Sequence, residues 1–255
     1  MIIIHENLPM EAGATKDVLK EVYHIDSYLQ DMNLDKVFKP LPRVEGYIPL
    51  MFELDNKFPY LKGKAVHIIT QRDLFDGDAT CKDNDWFFGC ESNRRSVVSV
   101  VRLRGEDNKI CNDITVLQER YLRRLKALSV HEVGHGFVQG DHLKDSFWVN
   151  TKIEKRQKLG KHCTDNRCVM YEIVDVKTPS RNEGYLLIGD ETRYDAGLDD
   201  WLDRMYQGWF CESCKKVIKI GKAYLSCQLE NDKTEAEDED TGLIDQLKKH
   251  SKENS

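Results

Sequence analysis

The sequence predicts an α+β protein. Two runs rich in β-branched residues, 65–70 and 96–103, read as strands, and apolar residues at helical spacing run through 14–31 and 112–135. The chain has 255 residues and 40% hydrophobic content, enough for a real core.

Residues 14–31 read as a helix because Val18, Val22, Ile25 and Leu29 recur at spacings of four, three and four. Pro40 and Pro42 end that unit, and residues 43–62, with Pro49 and Pro59, hold short extended pieces. Gly63 bounds the strand at 65–70. Residues 71–94 read as a long loop with Trp86, Phe87 and Phe88 as an edge strand, followed by the strand at 96–103. Asn112 or Asp113 is expected to cap a long helix whose stripe of Ile114, Leu117, Tyr121, Leu125 and Leu128 extends to Glu132 and His135. Arg120, Arg123, Arg124 and Lys126 on it read as a solvated basic face. Residues 139–161 read as a loop or hairpin, and 199–206 as a short helix.

The chain is expected to form one domain at 1–227, made of an N-terminal half (residues 1–140) and a C-terminal half (residues 141–227), followed by a disordered acidic tail at 228–255. That tail holds nine acidic and four basic side chains, so it supplies −5 of the formal net charge of −6 and leaves the body near neutral. Such a balance predicts no nucleic-acid partner. No apolar run approaches the roughly 20 residues of a membrane span, and the start at Met1–Glu6 lacks the features of a signal peptide. The expectation is a cytoplasmic protein without a membrane partner, of undetermined oligomeric state. In that compartment clustered cysteines point to metal more than to disulfides.

The chemistry concentrates in His131-Glu132-Val133-Gly134-His135. Two imidazoles four residues apart lie one turn apart on one helix face, so both can ligate one zinc ion, and the intervening Glu132 is placed to act as general base on a water. A third ligand is needed. His162 is favoured, with His142 next and Asp141 last. Cys163 and Cys168 at C-x4-C spacing, with Cys211 and Cys214 at C-x-x-C, are expected to close a second, structural zinc site. Because Cys163 directly follows His162, the two sites would brace each other. Cys81, Cys90, Cys111 and Cys227 default to ordinary thiols, with a Cys81–Cys90 link as the alternative.

From His131 to Cys214 the chain resembles the archaemetzincins, a branch of the metzincin metallopeptidases. Their pattern H-E-x-x-H-x-x-G-x-x-H-C-x4-C-x-M followed by C-x-x-C is met at His131, Glu132, His135, His162, Cys163, Cys168, Met170, Cys211 and Cys214. Asp73-Leu74, Phe88-Gly89, Ser99 and Arg102-Leu103 look like that family's N-terminal half. The resemblance implies a metzincin-like fold: a twisted mixed sheet on helices, the zinc helix at the floor of a cleft, and a small zinc-braced C-terminal region. It also implies that Met170 packs beneath the metal, and that Tyr171 either packs or hydrogen-bonds a developing oxyanion. The chain departs from the pattern in two places. Val138 stands where the family has its helix-ending Gly, with Gly140 as the substitute stop, and about twenty extra residues precede His162. The gap between Met170 and Cys211 is also long. The function expected is zinc-dependent hydrolysis of peptides or proteins, with two zinc ions per chain. An aminopeptidase is not separated from an endopeptidase, and a non-catalytic zinc-bound interaction module is the rival.

Overall fold

A computed structural model of the chain describes residues 1–41, 46–75, 86–103, 114–150, 155–171 and 205–218. The fold is mixed α+β. The chain opens with β1 (Ile2–His5), α1 (Pro9–Tyr23), β2 (Tyr28–Asp31), β3 (Phe38–Pro40) and β4 (Tyr47–Pro49). A short α2 (Leu54–Lys57) leads to β5 (Val66–Thr70), β6 (Leu74–Phe75), β7 (Trp86–Phe87), β8 (Gly89–Ser92) and β9 (Arg95–Ser99). The long α3 (Ile114–Gly134) and the hairpin of β10 (Leu143–Asn150) and β11 (Lys155–Cys163) follow. The helix cap expected at Asn112 or Asp113, most of the helix at 199–206 and the acidic tail lie outside the described residues.

The main sheet has five strands in the order β2-β1-β5-β9-β8. The first four are parallel, and β8 joins the edge antiparallel to β9. A parallel sheet needs cover on both faces, and the side-chain alternation shows both covers. Ile3, Ile69 and Val98 point into one core with Leu19 of α1 and Leu125 and Leu128 of α3. Their neighbours Ile4, Ile68 and Val97 point into a second core with Leu34, Phe38, Leu54 and Leu61. Each such side chain, fully buried, contributes about 1.5–3 kcal/mol. The smaller sheet, β3-β4-β6-β7, lies on the second side.

The strand expected at 65–70 forms, and the one at 96–103 is shorter, turning after Ser99. The helix expected at 14–31 is different. Pro9 starts it, because a proline at the first helical position loses no intrahelical bond. It stops at Tyr23, where His24 takes a left-handed conformation (φ 56°) and its N–H bonds back to the Lys20 carbonyl. Beyond it, β2 is an edge strand, and Leu29 is 41% exposed rather than within a helical stripe. Ile2, Ile3 and Ile4, read only for what they are not, build the buried strand β1. Within the stretch read as a loop at 71–94, the edge strand expected at Trp86–Phe88 forms as β7, and β6 and β8 are further strands.

Candidate metal centre

The residues of the centre hang on α3. Its N-terminal half packs against α1, where the Tyr121 hydroxyl donates to Glu11 Oε1 at 2.9 Å. Arg124 does not belong to a solvated face. It is fully buried and donates from Nη1 to the Leu103 carbonyl at 2.8 Å. Deeper along the helix, the Tyr23 hydroxyl donates to the Val130 carbonyl at 2.7 Å. Next to this clamp come His131 and Glu132, both buried. Regular helix ends at Gly134, and turn bonds from Gly136 to Val133 and from Val138 to Gly134 close it. The stop therefore falls before Gly140. His135 still keeps the helical bond to the His131 carbonyl (3.3 Å), so the one-turn spacing of the two imidazoles is preserved.

His131, His135 and His162 come together, their ligand nitrogens all within 4.8 Å of one another. The Nε2 atoms of His131 and His135 stand 3.2 Å apart. The His162 ring lies 5.3 Å from the His131 ring and 4.8 Å from the His135 ring, centroid to centroid. Zinc–nitrogen distances of about 2.0–2.1 Å separate tetrahedral donors by roughly 3.4 Å, so this spacing fits. Two rings are tied from behind. The Nδ1–H of His131 donates to the Val169 carbonyl at 2.7 Å, which leaves its Nε2 as the lone-pair nitrogen. Nδ1 of His162 lies 2.9 Å from the buried Ser146 hydroxyl.

Burial decides the protonation of these rings. It lowers the pKa of His131, and with the neighbouring His131 it holds His135 down to about 3. Burial first, then His131 and His135, hold His162 down to about 2. All three are neutral at physiological pH, the form that binds a metal. Glu132 shifts the other way, up to about 8, because burial penalises its charge and Glu91 stands nearby. A bound cation reverses this penalty.

Two glycines make room for this arrangement, Gly89 from the Phe88-Gly89 pair and Gly134 from within the His131–His135 motif. A Cβ on Gly89, in β8, would come within 2.7 Å of Glu132 Oε1. A Cβ on Gly134 would stand 2.5 Å from the Met170 sulfur and 2.7 Å from the Tyr23 hydroxyl oxygen. Met170 is fully buried against that turn of the helix.

Cys163, Cys168, Cys211 and Cys214 form a second group, with all four sulfurs within 4.8 Å of one another. The Sγ atoms of Cys163 and Cys211 are 3.6 Å apart, close to the roughly 3.8 Å expected of thiolates sharing a zinc ion at about 2.3 Å. Backbone N–H groups donate to these sulfurs: Asp165 to Cys163, Cys211 to Cys168 and Cys214 to Cys211. Hydrogen bonds from its neighbours, Cys168 first, push the Cys163 thiol down to about 2. The bond to Cys163 raises Cys168 to about 12 and also raises Cys214. Such crowding favours one thiolate alone and four only around a cation. His142 belongs to this side, its Nε2 lying 3.2 Å from Cys214 Sγ. Neither His142 nor Asp141 is in the imidazole group. Tyr171 is buried and its backbone bridges to Cys163. Cys81, Cys111 and Cys227 lie outside the described residues, and the Cys81–Cys90 link with them.

No model of a known protein family matches the chain, and neither does any curated protein sequence. Three solved structures are similar to it. Archaemetzincin from Methanopyrus kandleri has 19% identity and a TM-score of 0.48, over 86% of this chain and 93% of that one. Archaemetzincin from Archaeoglobus fulgidus, complexed with malonate, has 18% identity and 0.46, over 84% and 98%. A zinc-dependent peptidase from Methanocorpusculum labreanum has 17% identity and 0.44, over 86% and 100%. With every TM-score below 0.5, the chemistry of the centre stands on its own residues. Among the described residues no helix is long and apolar enough to cross a membrane.

Proposed function

We propose that this chain is a zinc-dependent metallopeptidase, an archaemetzincin-like enzyme acting on peptides or proteins. One observation carries the reading: three neutral imidazoles, two buried and His135 half-buried, converge within 4.8 Å, and a buried carboxylate sits between two of them in the same helical turn. In this reading His131, His135 and His162 hold a catalytic zinc, and Cys163, Cys168, Cys211 and Cys214 hold a structural one. The catalytic unit spans 1–227 at the cytoplasmic address expected from its composition. When bound, zinc supplies Lewis acidity, lowering the pKa of a water and polarising a carbonyl.

The side chains do the rest. The three imidazoles bring no charge, so the cation's charge stays undiminished for the reacting oxygens. Glu132 takes the proton of the attacking water and delivers it to the leaving amine, a task that needs a carboxylate desolvated beside the reacting atoms. Gly89 keeps β8 from displacing that carboxylate.

The test is zinc per chain by native mass spectrometry, on the wild type and on His162→Ala, together with digestion of a peptide library. Two zinc ions falling to one in His162→Ala is the expected result. Two ions retained at unchanged affinity would remove His162 from the ligand set. A wild type that loads both ions yet cleaves no peptide would favour the non-catalytic zinc-bound module. Cleavage of an internally quenched, N-acetylated peptide would separate an endopeptidase from an aminopeptidase.

A further inference from the structure

The third imidazole reaches the centre from a hairpin, and the register of that hairpin is irregular at one point. Leu143 pairs with Cys163, Lys144 with His162, Asp145 with Lys161 and Ser146 with Gly160. The next pair is Phe147 with Lys158, so Leu159 is an extra residue. This is a β-bulge, a feature that bends a strand and re-aims side chains near it. Gly160 sits in it at φ +101°, a conformation that L residues rarely adopt.

The pairing also fixes who faces whom. Residues two apart on a strand share a face, so Gly160 and His162 point to the same side of the hairpin, as do their partners Ser146 and Lys144. Ser146 is thus the diagonal neighbour of His162. Its partner Gly160 has no side chain to come between them. The Ser146 hydroxyl, 3% exposed, lies 2.9 Å from Nδ1 of His162, 5% exposed.

We infer that Ser146, set opposite the Gly160 bulge, is the positioning residue for His162: it accepts the Nδ1–H and so commits Nε2 to the metal. The inference rests on the proposed role of His162 as a ligand. Val169 does the same for His131 through a backbone carbonyl, which no substitution removes. At His162 the Gly160 backbone also hydrogen-bonds the ring, and the Ser146 side chain is the part that a substitution can remove.

The experiment is titration of the metal-stripped full-length protein with Co²⁺. Both centres give d–d bands, but only the thiolate centre gives a sulfur-to-metal charge-transfer band, so the imidazole centre is read from the d–d absorption that appears without a matching rise in charge transfer. Ser146→Ala is expected to weaken Co²⁺ binding at the imidazole centre about 10–100-fold and to alter its d–d bands, with the charge-transfer band unchanged. Ser146→Thr, which keeps the hydroxyl, is expected to recover most of that affinity. Gly160→Ala, whose Cβ would meet no atom within 4 Å, acts on the backbone alone and is expected to weaken the same centre. Wild-type affinity and bands in Ser146→Ala would overturn the inference, as would an equal loss at both centres in Ser146→Ala and Ser146→Thr, which marks plain damage to the fold. The proposed ligand set fails by a different result: unchanged Co²⁺ binding at the imidazole centre in His162→Ala.

Discussion

The imidazole and thiol groups are adjacent and built on opposite plans. The imidazole group draws two donors from one helix turn and one from a strand end. Its donors are neutral, and two of its rings are gripped from behind, His131 by the Val169 carbonyl and His162 by Ser146 and the Gly160 backbone. The thiol group draws its donors from two segments more than forty residues apart in sequence, and three of its sulfurs accept backbone N–H groups. Four thiolates overcompensate a dication, whereas three imidazoles leave its charge intact. The first plan suits a site that must act on a substrate, and the second suits a clasp.

His67 sharpens the contrast. It is fully buried and neutral like the three imidazoles, but Ser96 occupies its Nδ1 (2.7 Å) and Ser129 its Nε2 (3.1 Å). His131 and His162 share its burial, and His135 is half-buried. What differs is that two serines hold both nitrogens of His67, whereas the Nε2 atoms of His131 and His135 face each other.

The largest expected effect tests whether the imidazole group is catalytic at all. Glu132→Gln is expected to lower kcat about 10²–10⁴-fold on a quenched peptide, with zinc content unchanged. Undiminished turnover would reduce the contrast to one between two structural sites.

Next is the clasp. Cys214→Ser is expected to remove one zinc ion per chain and more than about 4 kcal/mol of stability, read by urea denaturation. The Cys163 N–H donates to the Met170 carbonyl, and Val169 beside it holds His131, so affinity at the imidazole centre should fall with it. An imidazole centre that binds zinc as before would show the two plans to be independent.

A smaller effect concerns the floor. Gly134→Ala places a Cβ against the Met170 sulfur and is expected to cost about 1–3 kcal/mol. Gly134→Ala combined with Met170→Ala should recover some of that loss if the clash is the cause.

The smallest is a pH effect from His67, whose pKa burial holds down to about 3 against an ordinary 6.5. The unfolded chain binds the proton first, so His67's stabilisation is complete above pH 6.5 and drains away as pH falls from there toward 3. A drop from pH 7 to 5.5 should cost the wild type roughly 1.4 kcal/mol more than it costs His67→Gln, measured on the metal-free protein. Equal losses in the two would mean that the buried ring does not resist protonation.

Much of the centre was legible because its signal is local. Helical spacing alone aligns His131 with His135, and the short separations within Cys163–Cys168 and Cys211–Cys214 mark two thiol pairs. His162 was harder. Its approach depends on a hairpin register, and sequence spacing left His142 and Asp141 as alternatives. Ser146 left no local signal, and Gly89 and Gly134, though they stand in quoted motifs, gave no hint of their packing roles, since each of the three matters through a neighbour at least 16 residues away in sequence. The fold was read best where both sheet faces are apolar, as at β5. It was read worst at 14–31, where Ile25 and Leu29 continue a helical spacing by coincidence across the stop at His24. Arg124 misled because a charge on a helix is usually solvated, and only the fold supplies the carbonyl that lets it be buried.

At the end of β11, His162 and Cys163 are consecutive, and successive strand residues point to opposite sides. One faces the imidazoles and the other the thiols, so the backbone between them works as a partition. A slip of β11 by a single residue would turn both side chains to the wrong faces and leave each group without its donor, with Thr164 or Lys161 in one of the two places. The bulge near Gly160 is thus also a proofreading mark: it gives the hairpin one alignment in which each donor is delivered to its own address.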